Sequence, residues 1–266
     1  MKLGISSASF FPNFKTEETF DLMRSLGVDV AEVFLTTFSE FEHDFAVLLK
    51  ERKGLIDINS VHAYGTAFEP MLYNAAERTR GDSERMMQKV LNVAKVLGAK
   101  SYTFHGQSRL KKTYKYDLAK IGKRTEELCG IAKSYGVEIA FENVHWALFN
   151  EPDVFIELKN QSPSLKCCLD VKQAKQSGYS YKEYIEVMAD RLVTVHITDY
   201  DDNGNTTLPY KGICDFEDLF IRLKDAGYNG AVLLEVYGKD YSSYIELLPI
   251  INRLKETMDK VGVLEN

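Results

Sequence analysis

Eight strand-like runs recur along the chain with helical patterns between them, and this alternation limits the fold more than any other feature. Strands that alternate with helices favour a parallel sheet. Eight such units predict one α/β domain over residues 1–266, a single-domain (β/α)8 TIM barrel. The runs are KLGIS (2–6), DVAEVFL (29–35), IDINSVH (56–62), KSYTFH (100–105), VEIAFE (137–142), LKCCLD (165–170), LVTVHI (192–197) and AVLLEV (231–236).

Glycine residues mark the joints between several helices and the strands that follow them. Gly27, Gly98, Gly136 and Gly227 each stand just before a predicted strand. Glycine at such a point is a common left-handed helix cap, so these positions indicate helix-to-strand turns rather than flexible linkers. No Pro/Gly/Ser-rich linker divides the chain, and the last helix is expected over roughly 242–260.

The composition is that of an ordinary globular protein, with 45% hydrophobic and 27% charged residues. No basic and apolar N-terminal segment resembles a signal peptide, and no apolar run approaches the ~20 residues of a membrane span. We therefore expect a cytoplasmic protein without a membrane partner. The net charge of −6 argues against a nucleic-acid partner. The four cysteines form no C-x-x-C pair, which favours reduced core thiols over a zinc–cysteine site.

Side-chain alternation places one ligand-type residue of each of the last four predicted strands inside the barrel. In VEIAFE, an inward Glu142 leaves the apolar Ile139 and Phe141 facing the helix layer. The next three strands repeat this phase, with apolar residues outward and a polar residue inward near the C-terminal end. The inward residues of those strands are Asp170, His196 and Glu235.

Three carboxylates and one imidazole at a single barrel mouth would repel one another or stay unpaired unless a cation held them. The mouth formed by the C-terminal strand ends is also where barrel enzymes build their active sites. Oxygen donors with one nitrogen favour one divalent ion, with Mn²⁺ preferred and Mg²⁺, Zn²⁺ or Co²⁺ as alternatives. The competing interpretation, four separate salt-bridged or solvated residues, is weakened because all four share one phase.

Five short motifs also carry a likeness to known proteins, namely FEN (141–143), LDVKQA (169–174), VTVHITD (193–199), LPYKGICDF (208–216) and LLEVY (233–237). In this order and spacing the chain resembles the xylose isomerase-like TIM-barrel superfamily, which holds sugar phosphate isomerases and epimerases and also endonuclease IV. The resemblance runs over nearly the whole chain. It implies the same four metal ligands that strand alternation indicates.

The resemblance further implies substrate-facing residues, and it has departures. His62 and His105, at the ends of the third and fourth strands, match family histidines, and Glu32 matches a carboxylate near the mouth. Gln173 stands where the family's D-x-x-H motif has a substrate- or metal-binding histidine, and Tyr210 replaces the usual glycine of an L-P-G-K-G loop. The segment ITDYDDNGNT lacks the Asp-x-His pair of a third metal site. These losses favour a one-metal sugar enzyme over a three-metal phosphodiesterase.

Four more residues near the predicted mouth are candidates for catalysis or substrate contact. If the strand direction persists beyond Asp170, Lys172 points into the mouth. A desolvated lysine beside a cation would have a lowered pKa, so we expect an acid/base or an anchor for an anionic group; the alternative is a surface lysine opening the next helix. Lys211 is a second candidate for an anionic group, and His145 and Trp146 are expected to roof the pocket.

These residues together predict a metal-dependent isomerase or epimerase of a ketose-like sugar or sugar derivative. The ion would chelate a carbonyl and the adjacent hydroxyl and hold an enediolate, while Glu142 and Glu235 exchange the proton. The same site supports a dehydratase of a keto-inositol or dehydroshikimate-like ring. Cleavage of abasic DNA as by endonuclease IV, or a barrel that only binds a ligand, is less favoured. Family barrels often pair, so a homodimer or homotetramer is expected.

Overall fold

Eight parallel strands close into a barrel in the computed structural model of the chain, which describes residues 1–109 and 116–265. The strands are β1 (Lys2–Ser6), β2 (Val30–Leu35), β3 (Asp57–Ala63), β4 (Ser101–Phe104), β5 (Glu138–Glu142), β6 (Lys166–Asp170), β7 (Leu192–Ile197), β8 (Asp199–Tyr200), β9 (Thr206–Thr207) and β10 (Ala231–Leu234). Around the barrel the order is β1-β10-β7-β6-β5-β4-β3-β2, and β8 and β9 form a separate antiparallel pair.

Helices surround this barrel, so the prediction of a single-domain (β/α)8 TIM barrel is confirmed. The helices are α1 (Thr19–Ser25), α2 (His43–Lys53), α3 (Glu77–Leu97), α4 (Leu118–Ser134), α5 (Pro152–Gln161), α6 (Val171–Gln176), α7 (Tyr181–Met188), α8 (Phe216–Asp225) and α9 (Leu247–Lys260). Within the described ranges, no helix is both long enough and apolar enough to cross a lipid bilayer.

The helix layer covers the outward faces of the strands because apolar residues follow two matching periods. On β5, Ile139 and Phe141 are 1% and 0% exposed and belong to the main core between strands and helices. Helix α9 buries one stripe of side chains three to four residues apart, which is the period of a helix face. Its buried residues are Leu247, Ile251, Leu254 and Met258.

The four glycines expected at helix-to-strand turns all adopt the left-handed conformation. Their φ angles lie between 66° at Gly27 and 78° at Gly136, with 75° at Gly98 and 77° at Gly227. A residue with a Cβ would be strained there, which explains glycine at these joints. The last helix begins later than expected, at Leu247, because a short 3-10 turn over Tyr244–Glu246 precedes it.

The N-terminal end of the barrel interior is closed by small and apolar side chains, which we call the barrel floor. Val30, Ala231 and Leu233 form a buried cluster separate from the main core. Gly4 lies against this cluster, where an added Cβ would approach the Val30 carbonyl oxygen to 2.5 Å and the Leu233 side chain to 2.6 Å. The floor therefore leaves no room for a larger residue at position 4.

The loop after β9 contains Tyr210, whose backbone is in the left-handed region that favours glycine. Its φ is 69°, the only positive value among the described non-glycine residues. The Tyr210 hydroxyl lies 2.7 Å from Thr257 Oγ1, and the Arg253 guanidinium stands 3.9 Å from the ring centroid. These contacts with α9 stabilise a conformation that is unfavourable for a tyrosine. A tyrosine thus occupies a backbone conformation that glycine adopts readily.

Candidate active site

The four predicted ligand residues converge at the C-terminal mouth of the barrel. Glu142 and Asp170 end β5 and β6, His196 is the penultimate residue of β7, and Glu235 follows β10 directly. One ligand atom from each lies within 4.8 Å of one from every other, and all four side chains are buried. Atoms bound on opposite sides of one ion at 2.0–2.6 Å would be about 4 to 5 Å apart. The spacing is thus suited to a shared divalent ion.

These residues do not lie at one level of the sheet. Asp170 pairs in register with His196, whereas Glu142 pairs with Cys168 and His196 pairs with Leu233. Glu142 and Glu235 are therefore offset by two residues from their neighbours. The stagger of a closed barrel brings such offset positions together at the mouth.

Several buried atoms of this cluster lack a hydrogen bond to any described residue. They include Glu142 Oε2, Asp170 Oδ2 and His196 Nδ1. A buried polar atom without a hydrogen bond is costly, and a bound water or ion is one way in which native proteins satisfy it. Two of the three still have a nitrogen neighbour at 3.1 Å, Lys172 Nζ for Asp170 Oδ2 and His105 Nε2 for Glu142 Oε2. Three such atoms from three of the four candidate ligands fit a cation, and the acidic donor set fits a hard or borderline divalent one.

Asn143 and the start of α6 fix the position of the Asp170 carboxylate. The Asn143 side chain accepts from the Asp170 backbone N–H at 2.7 Å and donates to its carbonyl oxygen at 3.0 Å. Asp170 Oδ1 accepts from the backbone N–H groups of Lys172 and Gln173, so Asp170 caps α6. Oδ2 is thereby left facing the mouth. The role of Asn143 was missed from sequence, although it is the third residue of the FEN motif.

Glu32 lies beneath the mouth and does not line its cavity. Its carboxylate accepts hydrogen bonds from Ser60 at 2.7 Å and Thr103 at 2.7 Å. It also lies 3.1 Å from His196 Nε2, on the side of the imidazole ring opposite the unsatisfied Nδ1. A carboxylate in this position orients a metal-binding histidine and fixes its tautomer. The contacts favour positioning of His196 over the predicted direct contact with substrate.

His62, near the end of β3, and His105, directly after β4, contact each other. His62 Nε2 and His105 Nε2 are 2.9 Å apart, and His105 Nε2 is 3.1 Å from Glu142 Oε2. Burial lowers the pKa of His62, but the hydrogen bond and charge of Glu32 raise it, to about 9 overall. Both rings line the cavity, where the sequence predicted substrate contacts.

Lys172 is buried at the mouth, but its route there differs from the one expected. The strand does not continue, because α6 begins at Val171 and Lys172 is in its first turn. The ammonium Nζ lies 3.0 Å from Glu235 Oε2 and 3.1 Å from Asp170 Oδ2, and only 2% of the residue is exposed. The lowered pKa was expected for a lysine beside a bound cation, and it stays a prediction. Burial does lower the pKa of Lys172, but the charges of Asp170 and Glu235 raise it well above its ordinary value.

The carboxylates of the mouth differ in acidity. Burial raises the pKa of Asp170, and although Lys172 lowers it, the charges of Glu142 and Glu235 help bring it to about 6. Burial also raises the pKa of Glu142, but His105 and His196 lower it well below its ordinary value. The site therefore concentrates negative charge that its own cations neutralise in part.

Aromatic side chains wall a cavity of about 270 Å³ above the cluster. Trp146 contacts the His105 ring at 5.2 Å between centroids and lines the cavity, as the sequence suggested. Gln173 also lines it. His145 does not, being exposed to solvent with Nδ1 2.7 Å from the Gln173 side-chain oxygen. Lys211 is exposed on its loop and is not a cavity residue. Further aromatic wall residues, not singled out from sequence, are Phe11, Phe34, Tyr64 and Tyr237.

A buried glutamate outside the predicted set holds the end of β4. Glu69 is 0% exposed and accepts from the backbone N–H groups of His105 and Gly106 at 2.9 and 3.0 Å. Tyr102 donates to the same carboxylate. Burial raises the pKa of Glu69. No periodic signal marks Glu69, because it lies in a 3-10 turn between β3 and α3.

Comparisons with known proteins agree with this architecture. The family model described as xylose isomerase-like TIM barrel matches residues 20–264. No curated protein matches the sequence significantly.

Three of the similar solved structures are a sugar epimerase, a zinc-bound protein and a probable dehydratase. D-psicose 3-epimerase from Clostridium cellulolyticum H10, solved with D-tagatose, is 18% identical with a TM-score of 0.76, over 98% of this chain and 96% of that one. IolI protein with a bound zinc atom is 20% identical with a TM-score of 0.77, over 98% of each chain. The probable 3-DHS dehydratase AsbF from Bacillus anthracis is 14% identical with a TM-score of 0.77, over 96% and 98%. At these identities the likeness is evidence of the fold.

Proposed function

The chain belongs to the xylose isomerase-like TIM-barrel family, and from this premise we propose that it is a divalent-metal-dependent isomerase or epimerase of a ketose-like sugar. The observation that carries the proposal is the convergence of Glu142, Asp170, His196 and Glu235 with unsatisfied buried atoms, directly beneath an aromatic-walled cavity. Mn²⁺ is the preferred ion, because three of the four donors are carboxylates.

Each of these residues has a part in the proposed reaction. A divalent ion held by them would polarise a substrate carbonyl and so acidify the neighbouring C–H. Glu142 and Glu235 both reach the cavity, and the pKa of each is lowered, against burial, by nearby cations. Each is thus a carboxylate able to accept a proton at neutral pH. One would remove a proton from the carbon, and the other, after taking a proton from solvent, would deliver that proton to the carbon, from the opposite side in an epimerase.

The cavity favours an unphosphorylated substrate. At about 270 Å³ it is slightly smaller than the ~300–1,000 Å³ of typical small-molecule sites, so it suits a small ligand. No arginine is among its described lining residues, and Lys172 is the one lysine among them, with both the two carboxylates and the Tyr237 ring close to its ammonium group. The aromatic wall offers ring faces to the apolar C–H side of a sugar, whereas a phosphate needs unpaired cationic donors.

The test is solvent-proton exchange. The protein is stripped of metal, reloaded with Mn²⁺ and incubated in D₂O with a panel of free ketopentoses and ketohexoses. We expect deuterium to enter a substrate carbon next to the carbonyl only in the metal-loaded sample. Loss of water with a new absorbing product would identify a dehydratase instead. A metal-loaded protein that exchanges no ketose proton would contradict the proposal.

A further inference from the structure

The cluster at the mouth already contains a cation supplied by the chain itself. Lys172 Nζ lies 3.0 Å from Glu235 Oε2 and 3.1 Å from Asp170 Oδ2. One of these oxygens, Asp170 Oδ2, is also among the buried atoms without a hydrogen bond. Both residues belong to the four-residue group suited to a divalent ion. The ammonium therefore binds two of the carboxylates that the ion would need.

We propose that Lys172 is an intrachain competitor of the divalent ion, which must displace the ammonium from Asp170 and Glu235 in order to bind. A divalent ion would approach these oxygens to ~2.0–2.6 Å. An ammonium at 3.0 and 3.1 Å from the same two residues would then stand against a double positive charge. Lys172 has 2% exposure, so water screens this repulsion poorly. The inference rests on the metal site of the proposed function and adds to it a determinant of metal affinity.

Tyr237 gives the displaced ammonium a second place to bind. Its ring centroid lies 4.7 Å from Lys172 Nζ, and the residue is 41% exposed at the edge of the cavity. A lysine stem is long and flexible, and an aromatic face attracts an ammonium. Lys172 can thus turn from the carboxylates toward the ring and solvent without becoming a buried, unpaired charge.

The consequence is a trade between metal affinity and the stability of the metal-free protein. With the ion absent, Lys172 neutralises two buried carboxylates, which would otherwise be costly. With the ion present, the same ammonium opposes binding. Removing the charge is therefore expected to strengthen metal binding and to weaken the metal-free fold.

The experiment measures Mn²⁺ affinity, not turnover. Metal-stripped wild type, Lys172→Met, Lys172→Arg and Lys175→Met are titrated with Mn²⁺ in a calorimeter, and thermal melting is recorded with and without the ion. Lys175 is the matched control, because it lies on the same helix and in none of the proposed contacts. We expect Lys172→Met to bind Mn²⁺ at least about tenfold more tightly, through loss of a nearby like charge in a poorly screened site. Its metal-free melting temperature should fall and its rise on adding Mn²⁺ should exceed that of wild type.

The outcomes separate this inference from the proposed metal site. Equal Mn²⁺ affinity of Lys172→Met and wild type overturns the competition alone, as does equal tightening by Lys175→Met or Lys172→Arg. Absence of Mn²⁺ binding by every form overturns the metal site as well. If Lys172→Met folds only with the ion, it is purified with Mn²⁺ and its release to a chelator is timed. Slower release than from wild type supports the competition, and equal or faster release overturns it.

Discussion

The two ends of the barrel interior differ in the side chains that fill them, which are small and apolar at the floor and ionisable at the mouth. The floor is a small apolar cluster of Val30, Ala231 and Leu233, packed so closely that Gly4 has no space for a Cβ. The mouth gathers buried carboxylates, histidines and Lys172 within a few ångströms. On β10 the two ends share one inward phase, because Glu235 of the mouth follows Leu233 of the floor by two residues. The chain therefore changes from apolar to ionisable residues within one or two steps along a strand.

The difference separates stability from function. Burial of apolar surface at the floor stabilises the fold, and close packing makes it intolerant of added volume. Buried carboxylates at the mouth are costly, since each needs a cation or hydrogen-bond donors. Residues that break the rule of an apolar interior are expected where a protein has a function. Changes at the mouth should affect chemistry and metal binding, and changes at the floor should affect stability.

The largest effect is expected from the two glutamates that face the cavity. Glu142→Gln or Glu235→Gln removes a group proposed to move the substrate proton, and turnover should fall by ~10²–10⁴. Bound Mn²⁺ is quantified first, so that loss of the ion is not mistaken for loss of the base. Solvent-deuterium incorporation is then measured on the metal-loaded variants.

Trp146→Phe provides the matched change in the cavity wall, since it alters packing without touching a proton-transfer group. It should change KM more than kcat. An amide variant that retains its ion and exchanges the substrate proton at the wild-type rate would remove that glutamate from the mechanism. Lys172, which the sequence indicates as a candidate acid/base, would then be the next residue to test as the group that moves the substrate proton.

A smaller effect is expected at Glu32, which lies between the two ends. Glu32→Gln keeps the shape but removes the charge beside His196 Nε2, so the imidazole loses the partner that orients it. Mn²⁺ affinity should fall by ~10–100-fold, as for other residues that orient a metal ligand. Glu40→Gln serves as control, because Glu40 binds Thr16 and Thr36 at a distance from His196. Unchanged Mn²⁺ affinity in Glu32→Gln would show that His196 is held by packing alone.

A substitution in the barrel floor is expected to have the smallest effect on metal binding and a clear effect on the stability of the fold. Gly4→Ala forces a Cβ against Val30 and Leu233 and should destabilise the protein by ~1–3 kcal/mol in denaturant unfolding. Mn²⁺ content should not change. Gly130→Ala, in α4 with no atom within 4 Å of the added Cβ, should instead stabilise by ~0.5–1 kcal/mol. A Gly4→Ala protein of normal stability with altered Mn²⁺ content would contradict the division between floor and mouth.

Part of the site is readable from sequence because strand geometry has a fixed period. On each of four strands the apolar residues alternate and face the helices, and this period of two places Glu142, Asp170, His196 and Glu235 inward. Lys172 shows the limit of this reasoning. Strand continuation predicted its direction, but the residue reaches the mouth from the first turn of α6. The two carboxylates that raise the pKa of Lys172 show the same limit, because sequence does not reveal which charges surround a buried group.

The sequence alone determined the barrel, the inward phase of its strands and the order of its ligand-type residues, since these follow from local periodicity and glycine caps. Only the tertiary structure decided which of those residues meet. Barrel stagger sets the distance between Glu142 and Glu235, and a 3-10 turn distant in sequence brings Glu69 beneath His105. The tertiary structure also brings the Lys172 ammonium into contact with the carboxylates of Asp170 and Glu235, which come from different strands. Such contacts depend on how separate strands are shifted and closed, and no local pattern records that shift.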